Sequence, residues 1–159
     1  MIYLTEKELE NDFHTKFAKK CFNEAWNYLD KQEKTLDDKI QLLMLVNASA
    51  YHWTFVGKPK NFMISYWQIS RAYADIGEGN LAVIYAEKAM DLFNEHKPDL
   101  TMTCTFYECL ARAHGSNNNT SEARKNINLA KDNLKLVSDE EDKDLYLSQI
   151  NDTIKLFNL

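Results

Sequence analysis

One pattern of residue types occurs twice in the chain, displaced by 41 positions (123 − 82). Each copy is a helical run of large, aliphatic, small and aromatic residues, followed by a turn and a second helical run. The copies are Tyr66-x2-Ile69-Ser70-x2-Tyr73-x3-Gly77-x4-Ala82-x3-Ala86-x2-Ala89 and Tyr107-x2-Leu110-Ala111-x2-His114-x3-Asn118-x4-Ala123-x3-Ile127-x2-Ala130. A fixed offset between helical patterns is typical of repeat proteins, whose units bury their apolar faces by stacking. The duplication therefore predicts stacked helical units.

The composition favours long helices in one domain. The 159 residues include only 4 Gly and 2 Pro, so turns are few and the elements between them are long. A chain of this length can bury a sizeable core without a second domain. No segment alternates apolar and polar residues as a half-buried strand does. We therefore expect one all-α domain over residues 1-159.

Capping residues and turn residues divide this domain into about seven helices. Thr5-x-x-Glu8, Thr35-x-x-Asp38 and Ser138-x-x-Glu141 have the spacing of capping boxes at helix starts. Asn80 is expected to cap the fourth helix, and Pro98 is expected in the first turn of the fifth. The first helix is expected to bury one face, formed by Phe13, Phe17, Cys21, Ala25 and Tyr28.

Short loops predict that consecutive helices pack as antiparallel hairpins. The hairpins would span 1-57, 60-97 and 98-137, the first of them a degenerate copy of the other two. A capping helix would span 139-159. Small residues at the repeated places, such as Ser70 and Ala111, would let paired helices approach closely.

The charge and the cysteines limit the compartment and the partners. A net charge of −5 argues against nucleic acid or an anionic membrane as the partner. No secretory signal is visible at the amino terminus, and no apolar run approaches the length of a membrane span. The 3 cysteines lack C-x-x-C spacing, which is typical of reduced thiols in the cytosol. We expect a cytoplasmic protein.

Motifs for metal binding and catalysis do not occur in the sequence. The four histidines lack H-x3-H or H-E-x-x-H spacing. There is no G-x-S-x-G, no phosphate-binding glycine loop and no basic setting around a cysteine. We therefore expect no metal, no cofactor, no catalytic residues and no enzymatic activity.

The repeated order of residues resembles the tetratricopeptide repeat, a helix-turn-helix unit usually of 34 residues. Here the period is 41 (123 − 82), and lengthened units of this kind are similar to those of bacterial peptide-sensing regulators and of small bacterial tetratricopeptide proteins. His114 and Asn118 depart from the aromatic residue and the glycine of the family pattern. The resemblance implies a right-handed superhelix of stacked hairpins.

The resemblance also implies a concave ligand groove lined by the first helix of every hairpin. By the matched spacing the groove would contain Ile64, Trp67, Arg71, Asp75, Thr105, Glu108 and Arg112, followed by Ser148, Asp152 and Lys155 of the last helix. Arg71 and Arg112 occupy equivalent places, where two guanidinium groups could hold a carboxylate-bearing peptide. Alternatively, the two arginines pair along their own helices, with Asp75 and Glu108.

The densest aromatic grouping is Tyr51-His52-Trp53 with Tyr66-Trp67. A short loop would fold these two segments together, either as a wedge in the core or as an anchor pocket for an apolar ligand side chain. In the second case His52, Trp53 and Trp67 belong to the ligand groove.

The function that these features predict is a scaffold that binds a protein or peptide in the concave groove. The alternative is a sensor of a short signalling peptide or small metabolite that acts through a partner protein. A broad groove would favour the scaffold, and a deep pocket between the second, third and fifth helices would favour the sensor. An apolar edge at the first helix also leaves a homodimer open.

Overall fold

The computed structural model describes residues 5–97 and 99–159. Within them the chain forms seven α-helices, one short 3₁₀ helix and no strand, which confirms the predicted all-α class. The α-helices are α1 (Glu6–Leu29), α2 (Leu36–Val56), α3 (Pro59–Asp75), α4 (Gly79–His96), α5 (Thr103–Ser116), α6 (Thr120–Leu134) and α7 (Glu140–Phe157). The 3₁₀ helix (Leu100–Met102) precedes α5. The prediction for Pro98 lies outside the described residues.

Two of the three predicted capping boxes are confirmed. Thr5 and Glu8 cap α1 reciprocally, and Thr35 and Asp38 cap α2 in the same way. The prediction for α7 was wrong by one residue. Its cap is Asp139, whose Oδ1 accepts a hydrogen bond from the backbone N–H of Asp142 at 3.0 Å. A carboxylate there also interacts favourably with the positive end of the helix dipole.

Two other helix starts differ from the predictions. α3 begins at Pro59, whose fixed φ suits the first helical position, so this proline starts α3. α4 begins at Gly79, one residue before the predicted cap at Asn80. A Cβ at Gly79 would lie 2.5 Å from the Cα of Asn117, so only glycine allows this approach between α4 and the end of α5.

The turns after α3, α5 and α7 have the same backbone geometry. Gly77 (φ 88°), Asn118 (φ 59°) and Asn158 (φ 53°) adopt the left-handed conformation. The N–H that follows each of them donates to a carbonyl five residues back, at 2.9, 2.9 and 3.1 Å respectively. Asparagine tolerates this conformation better than most side chains. The turn is therefore kept where the repeat pattern loses its glycine.

The small residues of the repeat lie in the core. Ala82, Ala89, Ala111, Ala123 and Ala130 have no exposed surface. In the first copy the buried Ser70 hydroxyl donates to the Ala82 carbonyl at 2.8 Å, which ties α3 directly to the backbone of α4.

The predicted buried face of α1 was wrong in part. Ala25 is fully buried as predicted, but Phe13 and Phe17 are exposed, and Ala18, which the prediction did not include, is fully buried. The buried Ser49 of α2 donates a hydrogen bond to the Ala18 carbonyl at 2.9 Å. This close contact requires a small residue on α1 at the crossing with α2, and Phe13 and Phe17 lie outside it.

The first six helices pack as three consecutive pairs, and α7 packs on α5 and α6. α1 packs on α2, α3 on α4 and α5 on α6, consistent with stacked hairpins. The odd-numbered helices also contact one another in order, α1 with α3, α3 with α5 and α5 with α7. They form one layer, and the even-numbered helices flank it. No helix in the described part of the chain has the length and apolar character that crossing a membrane requires.

We expect Ile69→Ala to lower the free energy of unfolding by about 2–5 kcal/mol, because the side chain is buried among Leu42, Val46 and Ala72. Urea denaturation measures the change. Leu110→Ala should cost less, because Leu110 is only partly buried. The exposed Leu136 is the matched control. Equal, small losses at positions 69 and 136 would contradict the assigned core.

Candidate ligand pocket

A pocket of about 420 Å³ lies within the layer of odd-numbered helices. Its lining comes from α1, α3, α5 and α7, and from the 3₁₀ helix that precedes α5. The lining residues are mostly apolar: Phe22, Trp26, Ile64, Trp67, Met102, Thr105, Phe106, Leu145, Tyr146 and Gln149. A cavity of this size and character can enclose a large apolar side chain or a small ligand.

Two tryptophans and an arginine lie at one side of this pocket. The ring centroids of Trp26 and Trp67 are 5.9 Å apart. Arg71 follows Trp67 by one turn of α3, and its Cζ lies 5.4 Å from the ring centroid of Trp26. The indole face therefore supports the guanidinium through a cation–π contact.

A buried polar network lies next to these residues on α5. The Nε of Arg112 donates to Glu108 Oε1 at 2.9 Å, and both residues are buried. The hydroxyl of Thr153 on α7 donates to the same carboxylate oxygen. Arg112 therefore pairs along its own helix with Glu108, which was the alternative interpretation of the sequence.

Arg71 does not pair with Asp75. That carboxylate forms an ion pair with Lys34 at 2.7 Å. Burial lowers the pKa of the Arg71 guanidinium, and the positive charge of Arg112 lowers it further. Among the described residues, Arg71 Nη1 and Arg112 Nη2 are buried without a hydrogen-bond partner. Each guanidinium group thus has an unused donor. Neither arginine lines the pocket itself, but Arg71 contacts its lining through the Trp26 ring.

Three of the predicted groove residues, Ile64, Trp67 and Thr105, line this pocket, and Arg71, Glu108 and Arg112 lie on the adjoining turns of α3 and α5. Trp53 lies in an adjoining pocket of about 330 Å³, which it shares with Phe22 and Ile64 of the main pocket. The predicted aromatic grouping is not one cluster. Tyr66 packs on Tyr85 at 5.9 Å between ring centroids, and His52 packs against Phe17 at 5.7 Å.

The three residues of α7 that were predicted to line the groove, Ser148, Asp152 and Lys155, are exposed and do not line the pocket, so their place in a groove stays a prediction. The residues that α7 turns toward the pocket and its polar network are Tyr146, Gln149 and Thr153. Because α7 packs on both α5 and α6, its buried face is set by two neighbours rather than by the repeat spacing.

The predictions also missed the contribution of α1, Phe22 and Trp26. Their spacing of four residues is a helical signal that the stronger Phe13 and Phe17 pattern obscured.

The thiol of Cys109 lies close to this site, and its protonation state bears on its reactivity. Burial raises the pKa of the Cys109 thiol to about 12, which keeps it protonated. Within residues 5–97 and 99–159 no group of three or more His, Cys, Asp or Glu side chains could hold a metal ion.

His52 lies on another surface, between α1 and α2. Its Nδ1 and that of His14 share a hydrogen bond of 2.9 Å, in which one ring must accept. Burial lowers the pKa of His52, and the neighbouring His14 lowers it further.

Comparisons with protein-family models, with curated proteins and with solved structures found no significant match to this chain.

We expect Arg71→Met and Arg112→Met to have different effects on stability. Replacing Arg71 removes a buried charge that forms no ion pair with the described residues, so the free energy of unfolding should stay the same or rise. Replacing Arg112 leaves Glu108 buried without its cation, which should cost about 3–5 kcal/mol. Urea denaturation measures both. Equal losses would show that Arg71 is a structural ion-pair partner.

We expect the protein to lose stability as the pH falls from about 7.5 to about 5.5. His52 has a lowered pKa in the folded state, so the unfolded chain takes up its proton first, near the ordinary value of 6.5. This contribution is complete above that value and is lost as the pH falls toward the lowered pKa. His52→Gln should reduce the loss, measured by the urea midpoint, and the control His96→Gln should not. An identical loss in all three proteins would refute the assignment.

Proposed function

We propose that this chain is a non-catalytic, tetratricopeptide-like module that binds a peptide segment of a partner protein, in the cytoplasm. The observation that carries the proposal is the apolar pocket, whose Trp26 is in contact with the Arg71 guanidinium, together with the unused donors of Arg71 and Arg112. In this proposal the groove is the free surface of the odd-numbered helices, and the pocket anchors the ligand within it.

The internal repeat supports the tetratricopeptide assignment. The repeated left-handed turns and the buried small residues give the two hairpins the same local geometry. Contacts between successive odd-numbered helices are what a stack with its concave side on that layer requires. A right-handed superhelix is part of this proposal.

The chemistry of the pocket selects the kind of peptide. An apolar lining favours a large aliphatic or aromatic side chain. The guanidinium groups favour a carboxylate, since charge-assisted hydrogen bonds to arginine are strong where water is excluded. Glu108 and Asp75 are already engaged by Arg112 and Lys34, so a ligand carboxylate would supply a counter-charge for Arg71. We therefore propose a ligand with an apolar side chain next to a carboxylate.

A peptide array tests this proposal. Its peptides end in Phe, Leu or Ala, and each is present with a free and with an amidated carboxyl terminus. We expect the wild-type protein to retain free-acid peptides that end in Phe or Leu. Arg71→Met should weaken binding about ten-fold or more, the value of one charge-assisted hydrogen bond.

Lys125→Met is the matched control, because it removes a positive charge from an exposed position on α6, outside the layer of odd-numbered helices. It should bind as the wild type does. Equal binding of free and amidated peptides, or retained binding by a folded Arg71→Met protein, would refute the role of the guanidinium. Circular dichroism verifies the fold of each variant.

The volume and apolar lining of the pocket favour a second candidate, a sensor of a small metabolite that acts through a partner protein. The volume of about 420 Å³ would accommodate a free aromatic or aliphatic acid. The sensor prediction placed the pocket between the second, third and fifth helices, whereas it lies between α1, α3, α5 and α7. Saturable binding of phenylpropionate without any peptide would favour the sensor over the peptide-binding module.

A further inference from the structure

An aromatic surface lies on the first hairpin, on the side away from the pocket. We call it the outer patch, and it consists of Leu9, Phe13, Phe17, Tyr51 and Phe55, all exposed. Phe13 and Phe17 stack at 6.4 Å between ring centroids, and Tyr51 meets Phe55 at 5.2 Å. The hydrogen-bonded rings of His14 and His52 join the two groups, with His14 stacked on Phe55 at 4.0 Å and Phe17 at 5.7 Å from His52. The patch is therefore continuous.

The patch lies at the open end of the helical stack. Phe17 and Trp26 are nine residues apart, which is about two and a half turns, so they project from opposite sides of α1. Trp26 faces α3 and the pocket. No other described helix covers this face of the first hairpin. Contiguous exposed aromatic side chains of this kind are typical of protein interaction surfaces.

The size of the patch fits the centre of a protein interface. Its four aromatic side chains offer about 200 Å² each when fully accessible, and about half of that remains exposed, giving roughly 400 Å². This exposed area is similar to that of the largest apolar patches on typical monomers. It is also about half of the area that one partner buries in a standard protein interface. The polar flanks of α1 and α2 would supply the remainder.

The distribution of charge along α1 favours a second copy of the chain as the partner. Residues 6–12 contain Glu6, Glu8, Glu10 and Asp12 with one lysine, a net charge of −3 (1 − 4), whereas residues 14–20 contain three lysines and no acid, +3. An antiparallel copy of α1 would place each half against the half of opposite charge, whereas a parallel copy would oppose like charges. The helix is thus complementary to itself.

We propose that the outer patch is a homodimer interface, in which α1 packs antiparallel on α1 of a second copy around a two-fold axis near Phe13. Leu9 and Phe17 lie four residues on either side of Phe13, so each would face the other across the axis. Glu6 and Lys20 lie seven residues on either side, and they would meet in the same way. Such self-complementarity is what an isologous interface requires.

Sedimentation equilibrium tests the proposal. We expect the wild-type protein to reach twice the mass of the chain at micromolar to millimolar concentration. Phe13→Glu should weaken dimerisation at least ten-fold, because it places a charge on the two-fold axis. Leu156→Glu is the matched control, because Phe13 and Leu156 are each 57% exposed. It should dimerise as the wild type does.

A charge exchange tests the antiparallel arrangement. The double variant Glu6→Lys with Glu10→Lys would make both halves of α1 positive, and Lys16→Glu with Lys20→Glu would make both negative. Each double variant should dimerise more weakly than the wild type. An equimolar mixture should recover dimers, because every half then meets the opposite charge. Helical content measured by circular dichroism shows that both double variants are folded.

Three results would overturn the proposal. A wild-type protein that stays monomeric up to millimolar concentration would exclude the dimer. The same result is expected if the patch binds a different protein instead of a second copy. A dimer that persists in Phe13→Glu uses another surface. Failure of the mixed charge variants to associate, while Phe13→Glu disrupts the wild-type dimer, excludes the antiparallel pairing of α1.

Discussion

The close approach of paired helices at small residues is the constraint on which the rest of the structure depends. Ala82 and Ala123 have no exposed surface, and the Ser70 hydroxyl reaches the backbone of the neighbouring helix. Small residues at a crossing allow short interaxial distances. Because each hairpin is tight, the odd-numbered helices can also contact one another, and their free side chains converge on one pocket. Larger residues would separate the helices and disperse the tryptophans and arginines.

The parts of the site that the sequence predicts are those that the repeat determines. Arg71 and Arg112 are 41 residues apart (112 − 71), so identical hairpins place them at equivalent positions on neighbouring helices. The same reasoning predicts Trp67 and Glu108, one turn away from them. It also explains why Asn118 can replace a glycine, since the two turns share a left-handed residue. Repetition makes a local pattern sufficient to predict a contact between distant residues.

The predictions fail where packing partners differ from those of the repeat. On α1 the more hydrophobic face carries Phe13 and Phe17, but close packing against Ser49 selects the face of Ala18. On α7 two neighbouring helices share the buried surface, which shifts its inward residues toward Gln149 and Thr153. Hydrophobicity alone does not predict which face of α1 or of α7 is buried, because the buried face depends on how closely each helix approaches its neighbours. His52 of α2 contacts His14 and Phe17 of α1 and does not line the pocket.

Two features of the folded chain oppose its stability, and they lie on opposite sides of α1. Arg71 is a buried charge with an unused donor, and the outer patch keeps aromatic side chains in water. Departures of this kind are expected where a sequence is constrained by function as well as by folding. Because Trp26 and Phe17 project from opposite faces of α1, a second copy bound at Phe17 would not cover the pocket beside Trp26. The proposed dimer would therefore present two accessible pockets, one on each copy.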